Sequence, residues 1–351
     1  MNILVLGGGA QGRVLASDLA RSMPAARINV ADLRRPELPR LPNIEFTEAD
    51  CSSVETVARL LRDHDLGVGA LPSRFGFGAM QAAIEARRDL VDVSFCAEDP
   101  LTLDAAARKA GVAILPDCGL APGLSNLAVG RSFAVGGPFD EAVIYVGGVT
   151  QDPTKPYGYV ITWSPDDLLE EYTRPARVLR GGREVSFPVF TEMETLEVPG
   201  VGTMEAFTSD GLRTLITTLP GAKEMAEKTL RWPGHVAAIQ PLLKSGRLVE
   251  EFRARCAEVP PNDLVAFLVR VRRDKRVETF SMVDRYDPAT GLSAMARTTA
   301  LTTSVTAQLA AARAVRERGV LPLEHVARDA AAYDFIVGAL DRRGVKLVHT
   351  P

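Results

Sequence analysis

The stretch MNILVLGGGAQGRVLASDLA, residues 1–20, decides the fold. Residues 2–6 (NILVL) include a continuous apolar run at 3–6, which is typical of a strand buried on both faces of a parallel sheet. Three glycines follow at once, and a helical pattern begins at Gln11. Apolar residues recur on one face of that helix, at Val14, Leu15, Leu19 and Met23. The stretch therefore predicts a strand, a glycine turn and a helix, which is how a doubly wound α/β domain starts.

The glycines of this turn match the pattern G-x-G-x-x-G. Gly7 permits the tight turn, Gly9 lets a pyrophosphate approach the backbone, and Gly12 lets the helix lie close to the strand. The unpaired N–H groups at the helix start then face an anion. A second strand, residues 27–31, ends at Asp32, twenty residues after Gly12, where a carboxylate can accept both ribose hydroxyls. We predict a dinucleotide site, with a purely structural glycine turn as the alternative.

The carboxyl ends of the other strands extend the predicted cofactor site, because ligands of doubly wound sheets lie outside those ends. NAD is favoured over NADP, since Asp32 would repel a 2′-phosphate. Arg34 and Arg35 could instead attract one, so NADP stays the alternative. The predicted cofactor-binding residues are Gly7, Gly9, Ala10, Gln11, Gly12, Asp32, Leu33, Arg34, Asp50, Ala70, Leu71 and Pro72.

Short apolar strands alternate with amphipathic helices up to residue 115, which predicts right-handed crossovers and a six-stranded parallel sheet. Strands are predicted at 2–6, 27–31, 44–46, 66–71, 90–93 and 112–115, with helices at 54–62, 77–86 and 100–110 between the later ones.

After Asp117 the pattern changes, and mostly strand-like pieces follow a helix at 124–133. They lie at 142–146, 176–179, 184–187, 264–271 and 277–283. A last helix, 301–316, is predicted to end with Gly319 at its C′ position and to return to the first domain. The predicted fold is α/β: a Rossmann doubly wound domain (1–120 plus 297–351) and a second mixed α/β (α+β) domain (121–296).

Composition excludes several classes of protein. The chain has 351 residues and a formal net charge of −3, without the basic excess of a general nucleic-acid binder. It contains no apolar run long enough to cross a membrane. Because the first predicted strand begins at Asn2, we expect no signal peptide. Four scattered cysteines and four scattered histidines predict neither disulfides nor a metal site, and fit a reducing cytoplasm.

Candidate chemistry lies in three stretches of the second half. Asp117, in PDCGLAPGLSN (116–126), leaves the sixth strand on the cofactor side and is either a catalytic acid or a turn cap. In KTLRWPGH (228–235), Arg231 beside Trp232 suits a clamp on a carboxylate, and Lys228 accompanies it. His235 is either a proton carrier or a structural hydrogen-bonding group.

The third stretch is TSDGLRT (208–214), in which Asp210 and Arg213 either line a pocket or pair with each other. Upstream, Ser164-Pro-Asp-Asp167 is interpreted as a helix N-cap followed by proline and an acidic first turn, not as a site.

Together these motifs resemble the saccharopine dehydrogenase-like oxidoreductases, and within them most the lysine 6-dehydrogenases. The resemblance rests on the glycine turn, on D-x-G-x-x-P-G at 117–123 and on K-T-L-R-[aromatic]-P-G-H at 228–235, and it covers nearly the whole chain. Saccharopine-forming reductases of the family carry E-x-G-L-D-P-G, whereas this chain has Ala121 at the second acidic position. The departure favours a smaller substrate than saccharopine.

The resemblance implies NAD-dependent oxidation at the ε-carbon of L-lysine, giving 2-aminoadipate 6-semialdehyde and ammonia. A protonated amine cannot release hydride, and lysine's amine has a pKa of about 10.4, so activity should rise with pH. The candidate roles are steering and proton transfer for Asp117 and His235, a carboxylate clamp for Arg231, and substrate contacts for Asp92, Ser94, Lys228 and Asp210. The family also implies a homodimer formed through the second domain.

Two other functions fit the same residues. One is an imine reductase that forms a secondary amine, as saccharopine or carboxynorspermidine enzymes do, with NADPH as reductant. The other is a protein that binds NAD(H) without catalysis.

Overall fold

The computed structural model describes every residue from Met1 to Pro351. Its first 136 residues form β1 (Asn2–Leu6), α1 (Ala10–Ser22), β2 (Arg27–Asp32), β3 (Ile44–Glu48), α2 (Val54–Arg62), β4 (Leu66–Gly69), α3 (Ser73–Ala86), β5 (Asp89–Asp92), α4 (Asp104–Ala110), β6 (Ala113–Leu115) and α5 (Leu124–Gly136). The next stretch forms β7 (Glu141–Thr150), α6 (Pro165–Thr173), β8 (Ala176–Arg180), β9 (Arg183–Phe187), β10 (Glu194–Val198), β11 (Gly202–Ser209), α7 (Leu215–Thr218), β12 (Glu224–Arg231), α8 (His235–Lys244), α9 (Leu248–Arg255), β13 (Asp263–Arg273) and β14 (Arg276–Arg285). The last elements are α10 (Ala294–Ala311), β15 (Gly319–Val320), α11 (Leu323–Val326), α12 (Ala330–Asp341) and β16 (Val348–Thr350).

The first compact unit comprises Met1–Gly130 and Thr299–Arg343. Its sheet has seven parallel strands in the order β15-β6-β5-β4-β1-β2-β3. The four apolar residues of β1 that follow Asn2 are fully buried, as a central strand covered on both faces requires. The predicted doubly wound parallel sheet is confirmed, and the carboxyl ends of its strands lie at one edge.

The end of the chain corrects part of the prediction for this unit. Helix α10 begins seven residues before the predicted start at 301 and ends at Ala311. Gly319 therefore does not close that helix but opens β15, a seventh strand that pairs with β6. Gly319 has a positive φ of 125°, but the predicted C′ position is wrong.

The second compact unit comprises Arg131–Thr298 and Gly344–Pro351. Its mixed sheet has the order β10-β11-β12-β7-β13-β14-β16, and the β8–β9 hairpin joins it at β12. The predicted second α/β domain is thus confirmed, although β10, β11, β12 and β16 were not predicted. The predicted helix cap is also present, since Ser164 Oγ accepts a hydrogen bond from the Asp167 N–H and Pro165 opens α6.

The boundaries of the two units differ from the predicted ones at 120/121 and 296/297. Helices α5 and α10 each contain a boundary, so neither falls in a loop. Residues 344–351 belong to the second unit because β16 pairs with β14. All four cysteines are buried free thiols. None of the helices is both long and apolar enough to cross a membrane.

Side chains alternate between the two faces of the second sheet, and each face has its own core. One face carries Phe207 of β11, which packs with residues of helices α6, α8 and α9. The opposite face carries Leu230 of β12 and Met204 of β11, which pack with residues of β7 and β13. Neighbouring residues of β12 therefore lie in different surroundings, which matters for the site below.

The start of α10 depends on a carboxylate from another element. Asp263 of β13 accepts hydrogen bonds from the N–H groups of Ala294 (2.7 Å) and Met295 (2.9 Å). We expect Asp263→Ala to lower the free energy of unfolding by about 1–2 kcal/mol, because both donors lose their buried acceptor. Urea unfolding followed by circular dichroism measures this.

The comparison variant is Ser293→Ala, which removes only the hydrogen bond from the Ala296 N–H. It should cost less than Asp263→Ala. An equal or larger loss in Ser293→Ala would show that Asp263 does not anchor the helix start.

Candidate functional site

The glycine turn of the first unit is shaped by close backbone approaches. Gly7 has a φ of 97°, and a Cβ there would lie 2.6 Å from the carbonyl oxygen of Ala70. A Cβ at Gly12 would overlap the carbonyl of Gly7, because α1 packs directly against the turn. The space beside Gly9 is open. The turn therefore keeps an open face at the N-terminus of α1, as a bound pyrophosphate requires.

Asp32 lies beside this turn at the end of β2. Its Oδ2 accepts the Gly8 N–H at 2.7 Å, and its Oδ1 accepts the Arg34 N–H at 3.1 Å. The carboxylate thus fixes the glycine turn and the residues after β2, and its remaining lone pairs point to a role as acceptor for ribose hydroxyls. Leu33 and Arg34 beside it are exposed.

The other predicted cofactor residues lie in differing surroundings. Gln11, in the first turn of α1, has a buried Oε1 without a hydrogen-bond partner, which leaves an acceptor for a ligand. Ala70 follows β4 and donates its N–H to Leu6 O at 2.8 Å. Asp50 is exposed, and its hydrogen bonds from Ser52 hold its pKa below the usual value. An unpartnered buried acceptor and an open turn together fit a dinucleotide.

Asp92 and Ser94 lie at the carboxyl end of β5. Asp92 is fully buried, and its Oδ1 accepts the Ser94 N–H at 2.7 Å. Ser94 Oγ donates to Leu71 O at 3.2 Å, which ties this strand end to the predicted cofactor stretch. The Asp92 carboxyl is enclosed, and its predicted direct contact with substrate stays a prediction. Ser94 is 4% exposed.

The loop that carries Asp117 is held from three sides. The Cys118 N–H donates to Asp92 O at 2.8 Å, and Thr303 Oγ donates to Cys118 O at 2.9 Å. Asn126 Oδ1 accepts the Gly123 N–H at 3.1 Å. Asn126 Nδ2 in turn donates to the buried Glu324 of α11 at 3.2 Å.

Asp117 itself has a φ of 54°, a left-handed conformation that costs a non-glycine residue roughly 1–2 kcal/mol. Such strain persists only where the surrounding hydrogen bonds determine the conformation. The loop therefore holds Asp117, which is only 2% exposed, in a fixed position at the strand-end edge, and its catalytic role stays a prediction.

In the second unit, Arg231 is almost fully buried and lies between two tyrosine rings. Its Nε donates to the hydroxyl of Tyr172 at 2.8 Å, and its guanidinium forms an ion pair with Glu171 at 3.0 Å. A third N–H bonds to the carbonyl of Leu230. The carbon of the guanidinium lies 5.4 Å from the ring centres of both Tyr159 and Tyr172. Of the five donors of an arginine, three thus have partners in the chain, the side chain is 3% exposed, and the predicted clamp stays a prediction.

His235 opens helix α8 next to this arginine, and both of its ring nitrogens have partners. Nδ1 donates to the carbonyl of Tyr157 at 2.7 Å, and Nε2 accepts from the Tyr172 hydroxyl at 2.8 Å. Burial, and then the charge of Arg231, lower the pKa of His235 to about 3. The ring is therefore neutral at physiological pH, and the structural alternative fits it better than the role of proton carrier.

Lys228 and Asp210 do not join Arg231 in one group. Lys228 lies on the opposite face of β12, where Nζ contacts Glu194 at 2.6 Å and lines a cavity of about 450 Å³. Asp210 forms a two-point ion pair with Arg177 of β8, with N···O distances of 2.9 and 3.1 Å. The Asp210 carboxylate is thus engaged by Arg177, and the alternatives predicted for Asp210 and Arg213 stay predictions. Lys228 and Arg231, both predicted to contact the substrate, thus lie on opposite faces of the sheet, because side chains alternate along β12.

The sequence interpretation missed three acids of this unit. Glu171 of α6 accepts from Arg231 and, at 2.6 Å, from Thr229. Glu205 of β11 accepts the N–H groups of Gly234 and Val236 at the start of α8. Glu227 lies two residues before Thr229, so the period of a strand was a signal that could have placed it with Arg231.

Glu227 is buried beneath the turn that follows β11. Its Oε2 accepts from Ser209 Oγ at 3.1 Å, and a Cβ at Gly211 would overlap its carboxyl group. Burial, and secondarily the charge of Glu171, raise the pKa of Glu227 to about 8. Glycine is thus required at position 211, in the D-G-L-R-T stretch, because the carboxyl group of Glu227 on β12 occupies the space of a side chain there.

Comparisons with known proteins bear on the family to which this chain belongs. Residues 3–115 match the family model of the saccharopine dehydrogenase NADP binding domain, and residues 119–345 match that of the saccharopine dehydrogenase C-terminal domain. Saccharopine dehydrogenase [NADP(+), L-glutamate-forming] of Saccharomyces cerevisiae is 25% identical over 71% of this chain and 59% of its own length. That of Schizosaccharomyces pombe is 24% identical over 60% of this chain and 49% of its own.

The matched region thus spans only about half the length of these curated relatives. A solved structure of apo histidine-tagged saccharopine dehydrogenase (L-Glu forming) from Saccharomyces cerevisiae covers 99% of both chains with a TM-score of 0.76. Its sequence identity is 17%, so this likeness shows the fold alone.

Fold, site and matches define the class: a two-unit α/β protein with a Rossmann-type unit for a nicotinamide dinucleotide, from a family of oxidoreductases. More narrowly, the chain belongs to the saccharopine dehydrogenase family. The resemblance seen in the sequence motifs is confirmed at the level of the family.

The raised pKa of Glu227 makes stability depend on pH. An acid whose folded-state pKa lies above its unfolded value loses stability as pH rises, here from about 4.5 to about 8. We expect Glu227→Gln to gain at least about 1 kcal/mol over the unchanged protein at pH 9, with the difference vanishing near pH 4. Thermal unfolding across pH 4–9 measures this.

Glu250→Gln, an exposed position on α9, is the matched control and should show no such trend. A pH-independent difference between Glu227→Gln and the unchanged protein would contradict a protonated Glu227.

Proposed function

We propose that this chain is a nicotinamide-dinucleotide-dependent dehydrogenase that oxidises a carbon–nitrogen bond of a lysine-derived amino acid. The observation that carries the proposal is the strand-end edge of the first unit. There the open glycine turn and Asp32 adjoin the end of β4, and the strained Asp117 follows β6 at the same edge. Family membership supports the same class of reaction.

The particular reaction we propose is oxidative deamination of the ε-amino group of L-lysine. Support comes from Ala121. The saccharopine-forming reductases that this motif resembles carry an acid at that position. Without that acid, the loop between Gly119 and Gly123 lacks a group to hold the larger, glutamate-bearing product. The products are 2-aminoadipate 6-semialdehyde and ammonia.

The chain's own residues have to prepare an amine that is protonated at neutral pH. Asp117 is the proposed acceptor of the ammonium proton, because the amine lone pair must be free before the C–H bond can break. When bound, the cofactor supplies the acceptor for the hydride. The lone pair then forms the C=N bond, the second N–H proton leaves, and water adds to that carbon as ammonia departs.

Other residues take supporting roles in this proposal. Arg231, with two N–H groups left, is the proposed anchor for the substrate carboxylate. Its chain of hydrogen bonds through Tyr172 to His235 fixes the guanidinium, and no proton transfer is assigned to His235. Homodimer formation, implied by the family resemblance, and a cytoplasmic location, indicated by the scattered cysteines, stay predictions.

Reduction of an imine to a secondary amine is the second candidate. It is favoured by the printed names of the yeast relatives, which are NADP(+)-dependent, L-glutamate-forming saccharopine dehydrogenases. In that case Asp117 would act in the opposite direction, as the group that returns a proton to nitrogen.

The choice between NAD and NADP rests on opposing observations. The family model and the relatives point to NADP. In the predicted binding mode, Asp32 contacts the ribose. Its negative charge would then lie where NADP carries its 2′-phosphate. We propose NAD as the preferred cofactor because this residue belongs to the chain itself, whereas the relatives are about 25% identical.

The experiment that tests the function is a substrate panel. The purified protein is incubated with NAD and amino acids at pH 9–10, and NADH formation is followed by absorbance. L-Lysine should be oxidised, faster at pH 9 than at pH 7, because more of its amine is neutral. If lysine is inert but lysine plus 2-oxoglutarate consumes NADPH, the imine reductase is correct. If neither reacts while NADH binds, the protein is a non-catalytic binder.

Cofactor choice is tested at Asp32. Asp32→Asn removes the charge but keeps an acceptor for the Gly8 N–H, so the turn should survive. We expect the ratio of NADP to NAD affinity to rise roughly tenfold or more, since repulsion of a phosphate costs at least about 1.4 kcal/mol. Titration by nucleotide fluorescence measures both affinities. Asp63→Ala, exposed at the end of α2, is the control; an unchanged ratio in Asp32→Asn would rule out the ribose contact.

A further inference from the structure

Asp92 is a buried acid whose charge the chain does not balance. Its side chain is fully buried, and its Oδ2 is a buried atom without a hydrogen-bond partner. The carboxyl occupies space that exists only because β4 has Gly69 there; any Cβ at that position would overlap Oδ2. A buried carboxylate is costly unless paired. The enclosure is therefore built for this group rather than being a chance burial.

The ionisable groups that face Asp92 are all acidic. Asp117 and the thiol of Cys118 approach from the loop after β6, whose Cys118 N–H bonds to the Asp92 carbonyl. The neighbouring β4 and α3 present Gly69 and Gly76. No lysine, arginine or histidine contacts Asp92. Burial, with a further contribution from Asp117, raises the pKa of Asp92 to about 7.

The position of Asp92 relates it to the cofactor. It ends β5, whose neighbour β4 leads into Ala70 and Leu71 of the predicted cofactor stretch. Ser94, which Asp92 holds through its N–H, bonds in turn to Leu71 O. A cofactor bound at this edge lies outside the strand ends. Its charge would act on Asp92 through the protein interior, where the dielectric constant is low.

We propose that Asp92 is a positioning counter-charge for the oxidised nicotinamide ring, so that NAD⁺ binding displaces its proton to solvent and NADH binding does not. The inference rests on the proposed function, because it assumes that a nicotinamide dinucleotide binds at this edge. The ring of NAD⁺ carries one positive charge and that of NADH none, while the rest of the two molecules is the same. No bond of the cofactor is made or broken.

The physical basis is a shift in the equilibrium of one proton. A nearby opposite charge lowers the pKa of an acid by roughly 1–3 units, so Asp92 would ionise when the cationic ring arrives. By linkage, NAD⁺ affinity then rises with pH up to the pKa of the free protein and is constant above it. NADH affinity stays independent of pH over the same range.

Calorimetry tests the proposal on the unaltered protein. NAD⁺ is titrated at pH 6 in buffers of different ionisation enthalpy, which yields the number of protons released. We expect release to approach about one proton per chain at pH 6 and to fall toward zero at pH 9. NADH should release none at either pH. Equal release by both nucleotides, or none by either when both bind, would overturn the proposal.

Variants identify the group that titrates. Asp92→Asn should abolish the difference between NAD⁺ and NADH, and Asp92→Ser serves if that variant does not fold. Asp89→Asn, at the other end of β5 where Asp89 bonds to the Ala113 N–H, is the control and should keep it. Proton release that persists in both Asp92 variants overturns the assignment.

Three outcomes separate the sources of error. The same proton released by L-lysine alone would show that a substrate ammonium, not the ring, is the counter-charge, and would overturn the proposal. If neither dinucleotide binds, the proposed function fails and this inference with it. Binding without proton release overturns the inference alone.

Discussion

The direction of the strands in the first unit is the constraint on which its function depends. Parallel hydrogen bonding requires each strand to be followed by a crossover, so every strand of the sheet ends at the same edge. Residues far apart in the chain, such as Gly7, Asp32 and Asp117, are brought to that edge by topology alone. Local features then refine it: Asp32 fixes the turn, and the loop after β6 holds Asp117 in a strained conformation.

The sequence predicted those parts of the molecule that local patterns control. The glycine turn, the alternation of strands and helices and the Ser164 cap each depend on a few adjacent residues. Local patterns could not predict the partners of Arg231 in the second unit. Glu171 and Tyr172, which bind its guanidinium, lie about sixty residues earlier in the chain, on helix α6. Lys228 shows the opposite error: three residues from Arg231, it lies on the other face of β12.

Buried polar groups explain why several predicted roles changed. The sequence predicts a proton-transfer role for His235 and a substrate contact for Asp92, and both side chains are enclosed. The histidine is satisfied by two hydrogen bonds and stays neutral, whereas the aspartate keeps an unpartnered oxygen. Residue type alone does not distinguish these two situations; the difference lies in which neighbours fill the remaining hydrogen-bonding positions.

Gly211 illustrates how one residue can constrain another on a different strand. Its φ is not what demands glycine; the carboxyl group of Glu227 occupies the place of its side chain. The same holds for Gly69 with Asp92. In each pair the smaller residue can be replaced only if the larger one is also replaced. We therefore expect positions 69 and 92 to vary together among related sequences or not at all, and we expect the same of positions 211 and 227.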